Sequence, residues 1–211
     1  MPETHRHPIF ARVYPRISRA AELAGAADHR RRLLAGLTGG VVEVGAGHGL
    51  NFPYYPETVT RVVAVEPEPY LRELARDGAR RVSIKIDVTD GTAEALPADD
   101  GEFDAAVSSL VLCSVRDQRT ALREISRVLH PEGQLRFYEH VISVRPGWAR
   151  LQRALDATIY PPLAGGCHCA RDTGAVIRQE GFEIEREERV LLKASPLVPA
   201  IPHILGVARR V

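Results

Sequence analysis

The sequence predicts a single α/β domain in which helices cover both faces of a mainly parallel, doubly wound, seven-stranded sheet with an antiparallel last strand. Three observations carry this. First, Val41-Val42-Glu43-Val44 is an apolar strand running into Gly45-Ala46-Gly47-His48-Gly49, and a second strand, Arg61 to Val65, ends on Glu66, 21 residues after Gly45. Second, short apolar strands alternate with amphipathic helices, the pattern of a parallel sheet wound from both sides. Third, the closing two strands lie close in sequence with no helix between them, which points to an antiparallel pair.

Taken in order, Ile9 to Leu37 reads as helical, with Ile17, Ala20, Ala21, Leu23, Ala24, Leu33 and Leu34 as its inward positions. Pro15 is placed to begin a helix, because a first-turn proline loses no helical hydrogen bond. Residues 1–38 then form a helical lid segment ahead of a core spanning 39–211, and Gly39-Gly40 separates the two. Phe10 and Tyr14 either close over a ligand or pack in the core. Beyond the glycine turn, Asn51 can cap a helix or donate to a ligand carboxylate. Strand two leads through Pro67 into a helix over Pro69–Gly78, with Leu71 and Leu74 inward. Alternation makes Val82–Asp87 strand three, and a polar loop runs from Asp87 to Asp100.

Phe103–Ser109 is strand four, and Leu110 to Cys113 prolongs its apolar run. Arg119–Leu129 is helical, with Leu122, Ile125 and Val128 on one face, and Pro131-Glu132-Gly133 turns it into strand five, Gln134–His140. A helix over about Trp148–Thr158 precedes the irregular Tyr160–Cys169, and another spans Asp172–Glu180. Phe182–Lys193 and His203–Val211 complete the sheet, joined by the proline-rich Ser195–Pro202.

Bulk properties exclude several classes. With 28 basic and 27 acidic residues there is no electrostatic footprint for nucleic acid. The longest basic run, Arg30-Arg31-Arg32, reads as a charged helix face. No apolar stretch reaches the roughly 20 residues needed to span a bilayer, and Met1 to His7 lacks the apolar centre of a secretory signal. Three cysteines, an odd number, argue against a disulfide framework and for a reducing cytoplasm.

The functional signal lies in the first unit. Glycines at 45, 47 and 49 permit positive φ and let a ligand approach the backbone, while an acid ending the next strand can accept hydrogen bonds from ribose hydroxyls. That combination is a nucleoside site. The spacing is E-x-G-x-G-x-G, with Glu43 inside the strand, and not the dinucleotide fingerprint G-x-G-x-x-G. It resembles the first motif of the class I S-adenosylmethionine (SAM) methyltransferases, whose fold is Rossmann-like. The resemblance implies SAM as cofactor and a cofactor site drawn from Tyr14, Glu43, Gly45, Ala46, Gly47, Asn51, Glu66, Pro67, Ala93, Glu94 and Ser109. Many such enzymes carry an acid where Thr92 stands, so adenine recognition here would lean on the backbone near Ala93 and on Glu94.

Later motifs narrow the resemblance. Leu110-Val111-Leu112-Cys113-Ser114-Val115, Arg127-Val128-Leu129-x-Pro131-x-Gly133, Glu139-His140-Val141, Gly166-Cys167-x-x-x-Arg171 and Pro202-His203-Ile204-x-Gly206 resemble the thiol S-methyltransferases. This implies a small hydrophobic thiol as methyl acceptor, a dithiol natural product among the candidates, with Tyr160, Cys167 and His168 at the acceptor site. Tyr160-Pro161-Pro162-Leu163 and Pro196–Pro202 are candidate pocket walls. His140, at the carboxyl end of strand five, either takes the thiol proton or orients Glu139 or a loop; Asp156 and His168 are weaker candidates for the base. The animal members carry an N-terminal hydrophobic anchor for which this chain has no counterpart, so no stable membrane attachment is expected.

Cys167-His168-Cys169, with Cys113 as a third sulfur, invites a metal or arsenite reading. The cysteine spacing is too short for a zinc knuckle and no fourth ligand is evident, so the expected metal content is none. The alternatives are O- or N-methylation of a quinone, phenol or phospholipid, and a non-catalytic SAM-binding regulator.

Overall fold

In a computed structural model the chain is described over residues 8–193 and 200–211. Seven strands form one sheet in the order β3-β2-β1-β4-β5-β7-β6. They are β1 (Gly39–Val44), β2 (Val59–Val65), β3 (Ile86–Thr89), β4 (Phe103–Ser109), β5 (Leu129–His140), β6 (Phe182–Leu192) and β7 (Ile201–Arg210). Strands β1 to β5 pair in parallel, and β7 runs antiparallel to both β5 and β6. The chain leaves β1 to one side for β2 and β3, then returns to the other for β4. The crevice at that reversal, outside the carboxyl ends of β1 and β4, is where ligands bind in open α/β sheets.

Period-two side-chain alternation divides the core. Val42, Val44, Ala106, Leu135 and Phe137 face one side, under Leu122, Ile125 and Val128 of α4 (Gln118–Val128) and Ile177 of α7 (Thr173–Gln179). Val41, Val62, Ala64, Ala105, Val107 and Tyr138 face the other, under Leu33 and Leu34 of α2 (Ala27–Leu34) and Ala75 of α3 (Pro69–Ala79). Burial of each large apolar side chain contributes about 1.5–3 kcal/mol. Asp117 and Asp172 cap α4 and α7 by accepting from the N–H groups of Arg119 and Ala175.

The N-terminal region departs most from expectation. Helix α1 runs Pro8–Ala21, so Pro8 occupies the first turn and Pro15 lies inside. A π-helical segment, Glu22–Ala26, follows, and Gly25 at φ 116° breaks the run before α2. Ile17, Ala20, Leu23 and Ala24 are exposed, and α1 instead turns Ala11 and Ser18 inward with Tyr14 half-buried. The reason is local: Ser18 Oγ lies 3.4 Å from His48 Nε2 and Tyr14 stacks edge-on against the same ring, so α1 is oriented by the glycine turn.

Elsewhere the differences are small. Strand β3 starts at Ile86, opposite Val62, later than the alternation suggested. Strand β5 starts at Leu129, five residues early. Helices α5 (Pro146–Asp156) and α6 (Tyr160–Leu163) precede the cysteine loop. The candidate wall Pro196–Pro199 lies outside the described residues. Among the described residues no helix is long and apolar enough to cross a membrane.

Candidate active site

At the end of β1 the chain must turn sharply beneath the loop that follows β4. Gly45 does so at φ 64°, and a Cβ there would sit 2.6 Å from Val111 Cγ2, so no other residue fits. Gly47, at φ 58°, carries the open side of the turn; a Cβ there would project toward the Tyr14 ring, 3.5 Å away. A cradle that a side chain would fill, opening on an aromatic ring, suits close approach of a flat or branched ligand. The turn is tied to β2 twice: Ala46 N–H donates to the Val65 carbonyl (3.0 Å), and Gly47 N–H donates to Glu66 Oε2 (2.7 Å).

Glu66 stands beside the cradle. Its Oε1 accepts from Glu68 N–H at 2.9 Å. Burial pushes its carboxyl up to about 7, and the two backbone donors and nearby Arg72 offset only part of this. Pro67 follows directly and starts the descent into α3.

Glu43 lines the cleft from within β1. Both carboxylate oxygens are engaged within the protein, Oε1 by Asn51 Nδ2 (2.9 Å) and Oε2 by the Tyr55 hydroxyl (2.7 Å). Its carboxyl is likewise raised to about 7 by burial, against the pull of those donors. Glu43 therefore buckles the far end of the turn to β1 and fixes the Asn51 amide. Asn51 Oδ1 in turn accepts from Arg30 Nη1 at 2.9 Å, and Ser109 Oγ, at the end of β4, accepts from the same nitrogen at 2.9 Å.

Arg30 is the residue that the sequence reading missed. It is 4% exposed, is held on its other side by Glu22, and points a buried cation into the cleft between the glycine turn and β4. A signal was present, because Arg30 lies on the same face of α2 as Leu33 and Leu34, three and four residues on. The cleft is lined by Tyr14, Glu43, Gly45, Ala46, Gly47, Asn51 and Ser109, as expected, together with Arg30, His48 and Leu50. Ala93 is buried in the core beside it, and Glu94 Oε1 accepts from Arg116 N–H, which orients it along the loop after β4.

A second constellation lies beyond β4. Glu139, fully buried near the end of β5, accepts four hydrogen bonds: from Ser108 Oγ (2.6 Å), the Val111 and Leu112 N–H groups (3.1 Å each) and the Cys113 N–H (3.1 Å). It moulds the turn that contains Leu110 at φ 62° and so places Cys113. His140, next along, turns Nδ1 toward two sulfurs, Cys167 Sγ at 3.0 Å and Cys113 Sγ at 3.6 Å. Its Nε2 has no hydrogen-bond partner among the described residues, and the ring lies against His203, tilted by 47°, at a centroid distance of 4.4 Å. Burial opposes charge on His140, but neighbouring Cys113 and Glu139 more than offset it, raising the imidazole above its ordinary range.

Thus His140 bonds Cys167 of the loop after α6 and not Glu139. Glu139 orients the loop, and His140 meets the thiols. Tyr160, half-buried, sits near both cysteines, and burial together with Cys167 and Cys169 holds its hydroxyl protonated. His168 does not join them; its Nδ1 lies 3.4 Å from Asp156 Oδ2. Asp156 accepts from the Cys169 and Ala170 N–H groups, which makes it a clamp on the cysteine loop.

Comparison with known proteins shows the family and the fold. The methyltransferase domain family matches residues 42–137. The thiol S-methyltransferase TMT1B of Homo sapiens is 32% identical over 185 residues, covering 83% of this chain and 74% of its own length. Among solved structures, the [4+2]-cyclase SpnF superposes with a TM-score of 0.75 at 19% identity, over 99% of this chain and 96% of its own. A geranyl diphosphate methyltransferase in complex with SAM superposes at 0.70 and 16% identity, over 89% and 85%. These two likenesses show the fold alone.

Proposed function

The chain belongs to the class I SAM-dependent methyltransferase family, and from that premise we propose that it transfers the methyl group to the sulfur of a small hydrophobic thiol. The observation that carries the choice of sulfur is His140 at the carboxyl end of β5, whose Nδ1 meets Cys167 and whose Nε2 has no hydrogen-bond partner among the described residues. Relatives at 32% identity, named as the thiol S-methyltransferases TMT1B and TMT1A of Homo sapiens, support the same choice.

SAM, when bound, supplies an electrophilic sulfonium methyl. The protein's share is to hold, align and dry the site. Glu66 would accept from the ribose hydroxyls, the Gly45–Gly47 backbone would approach the methionyl part, and Arg30 would take its carboxylate in place of Asn51 and Ser109. Tyr14, laid over the turn by α1, excludes water. Alignment of acceptor and methyl can supply roughly 7–11 kcal/mol. An acceptor thiol must still lose its proton, because the thiolate is the nucleophile. In our reading Nδ1–H of His140 donates to Cys167 Sγ, which leaves the Nε2 lone pair to take that proton.

His140→Ala should therefore lower turnover by about 10²–10⁴-fold with SAM affinity nearly unchanged, as read by kcat against the calorimetric Kd. The Glu66 carboxyl sets a pH dependence of a known sign. Its ionised form accepts both ribose hydroxyls, and the neutral form predominates below about pH 7. Affinity for S-adenosylhomocysteine should fall by up to about tenfold per pH unit below 7 and level off above it. Glu66→Gln should flatten that profile; an unchanged slope in the variant would assign the titration elsewhere. To test the acceptor, matched thiols, alcohols and amines are incubated with methyl-labelled SAM. Thioether product from the thiols alone is expected; product from phenols or amines alone would refute the proposal.

A further inference from the structure

Cys113, Cys167 and His140 come from the turn after β4, the loop after α6 and the end of β5, yet each brings a ligating atom within 4.8 Å of the other two. The sulfurs are 3.4 Å apart, and His140 Nδ1 lies 3.0 Å from Cys167 Sγ and 3.6 Å from Cys113 Sγ. We propose that these three side chains form a binding site for one thiophilic divalent cation of the zinc class, and that its occupancy silences methyl transfer.

The donor set selects the ion. Two thiolates and a neutral imidazole around a doubly charged cation make an uncharged assembly, the form that a buried site tolerates. Sulfur donors favour soft or borderline metals over calcium and magnesium. Around a tetrahedral zinc, with bonds of about 2.0–2.3 Å, neighbouring ligand atoms lie about 3.5–3.8 Å apart. The three atoms would need to spread by only a few tenths of an ångström.

The ligands are also held before any ion arrives. Cys113 is fixed through its N–H to Glu139, Cys167 through its N–H to the Ala164 carbonyl (3.2 Å), and the His140 ring against His203. Such support is what orients first-sphere ligands at metal sites. Three protein donors leave the fourth position to water. The two remaining members of the cysteine motif take no part, since Cys169 Sγ contacts the Gln152 carbonyl and His168 pairs with Asp156.

An ion on Nδ1 leaves the imidazole proton on Nε2, the atom assigned to receive the acceptor's proton. Metal loading and acceptor deprotonation thus exclude one another. This half of the proposal rests on the reading of His140 given above, whereas the ion site does not.

The test uses the full chain, reduced with a phosphine and stripped with EDTA, and titrated with Co²⁺. Thiolate-to-cobalt charge-transfer absorption should saturate at one equivalent. It should be lost, or need about 100-fold more Co²⁺, in Cys113→Ala and in Cys167→Ala, and persist in Cys169→Ala. Binding of S-adenosylhomocysteine checks that each variant is folded; should Cys113→Ala fail that check, Cys167→Ala, in a loop, carries the comparison. Zn²⁺ should lower turnover of the unmodified protein at least tenfold, and EDTA should restore it. No absorption at several equivalents of Co²⁺, or absorption retained in both cysteine variants, overturns the site. Absorption with undiminished turnover under Zn²⁺ overturns the silencing, and with it His140 as proton acceptor.

Discussion

Replacing Glu66 by alanine should weaken SAM binding by about 10²–10⁴-fold while leaving the sheet folded. The estimate follows from two hydrogen bonds to an ionised carboxylate, worth about 1.5–3 kcal/mol each. The Glu66 carboxylate also accepts from Gly47 and Glu68 N–H groups, so part of the loss comes from loosening the glycine turn. Glu66→Gln separates the two contributions. The amide retains a carbonyl acceptor for the turn but offers the ribose only half of the acceptor surface, so its affinity should fall between the wild-type and alanine values. Calorimetric titration with S-adenosylhomocysteine checks this. A change of less than about threefold in Glu66→Ala would remove Glu66 from the cofactor site.

The largest loss of stability should come from Glu139→Ala, at about 3–5 kcal/mol in urea unfolding. Four donors converge on this carboxylate, three of them backbone N–H groups of the turn after β4, and alanine leaves all four unpaired in a dry interior. Glu139→Gln, which keeps one acceptor oxygen, should cost about 1–3 kcal/mol. Because that turn places Cys113, the loss should extend to chemistry: residual folded Glu139→Ala protein should turn over poorly even where SAM still binds. A destabilisation below about 1 kcal/mol would mean that the turn is held by other contacts.

The parts of this molecule that could be read from sequence are those encoded by local pattern. Parallel strands buried on both faces announce themselves as apolar runs, and the positive φ values at Gly45 and Gly47 announce a turn that approaches a ligand. Seven residues of the cleft wall were reached through the motif resemblance, all but Tyr14 within β1, its turn or the end of β4. What could not be read depends on distance in sequence. Arg30 looked like part of a surface run because the break at Gly25, which aims α2 into the cleft, has no periodic signature. Nothing local to Glu43 shows that Asn51 and Tyr55 engage both of its oxygens.

The sulfur cluster illustrates the same limit. Adjacent in sequence, Cys167, His168 and Cys169 suggested a common site, yet loop geometry sends their side chains three ways. The imidazole that does meet Cys167 comes from 27 residues away and the second sulfur from 54, brought together by the β4–β5 pairing and by Glu139. Exposure of Ile17 has a related cause, since α1 is oriented by the contacts of Tyr14 and Ser18 with His48 and not by its own apolar face.

A crystal structure of the protein with S-adenosylhomocysteine would test the central assignment most directly. It should show the adenosyl group against Gly45–Gly47, the ribose hydroxyls on Glu66, the carboxylate on Arg30, and the cofactor sulfur facing His140. Cofactor density elsewhere, or a cleft still closed by Arg30 and Tyr14 at saturating ligand, would contradict it.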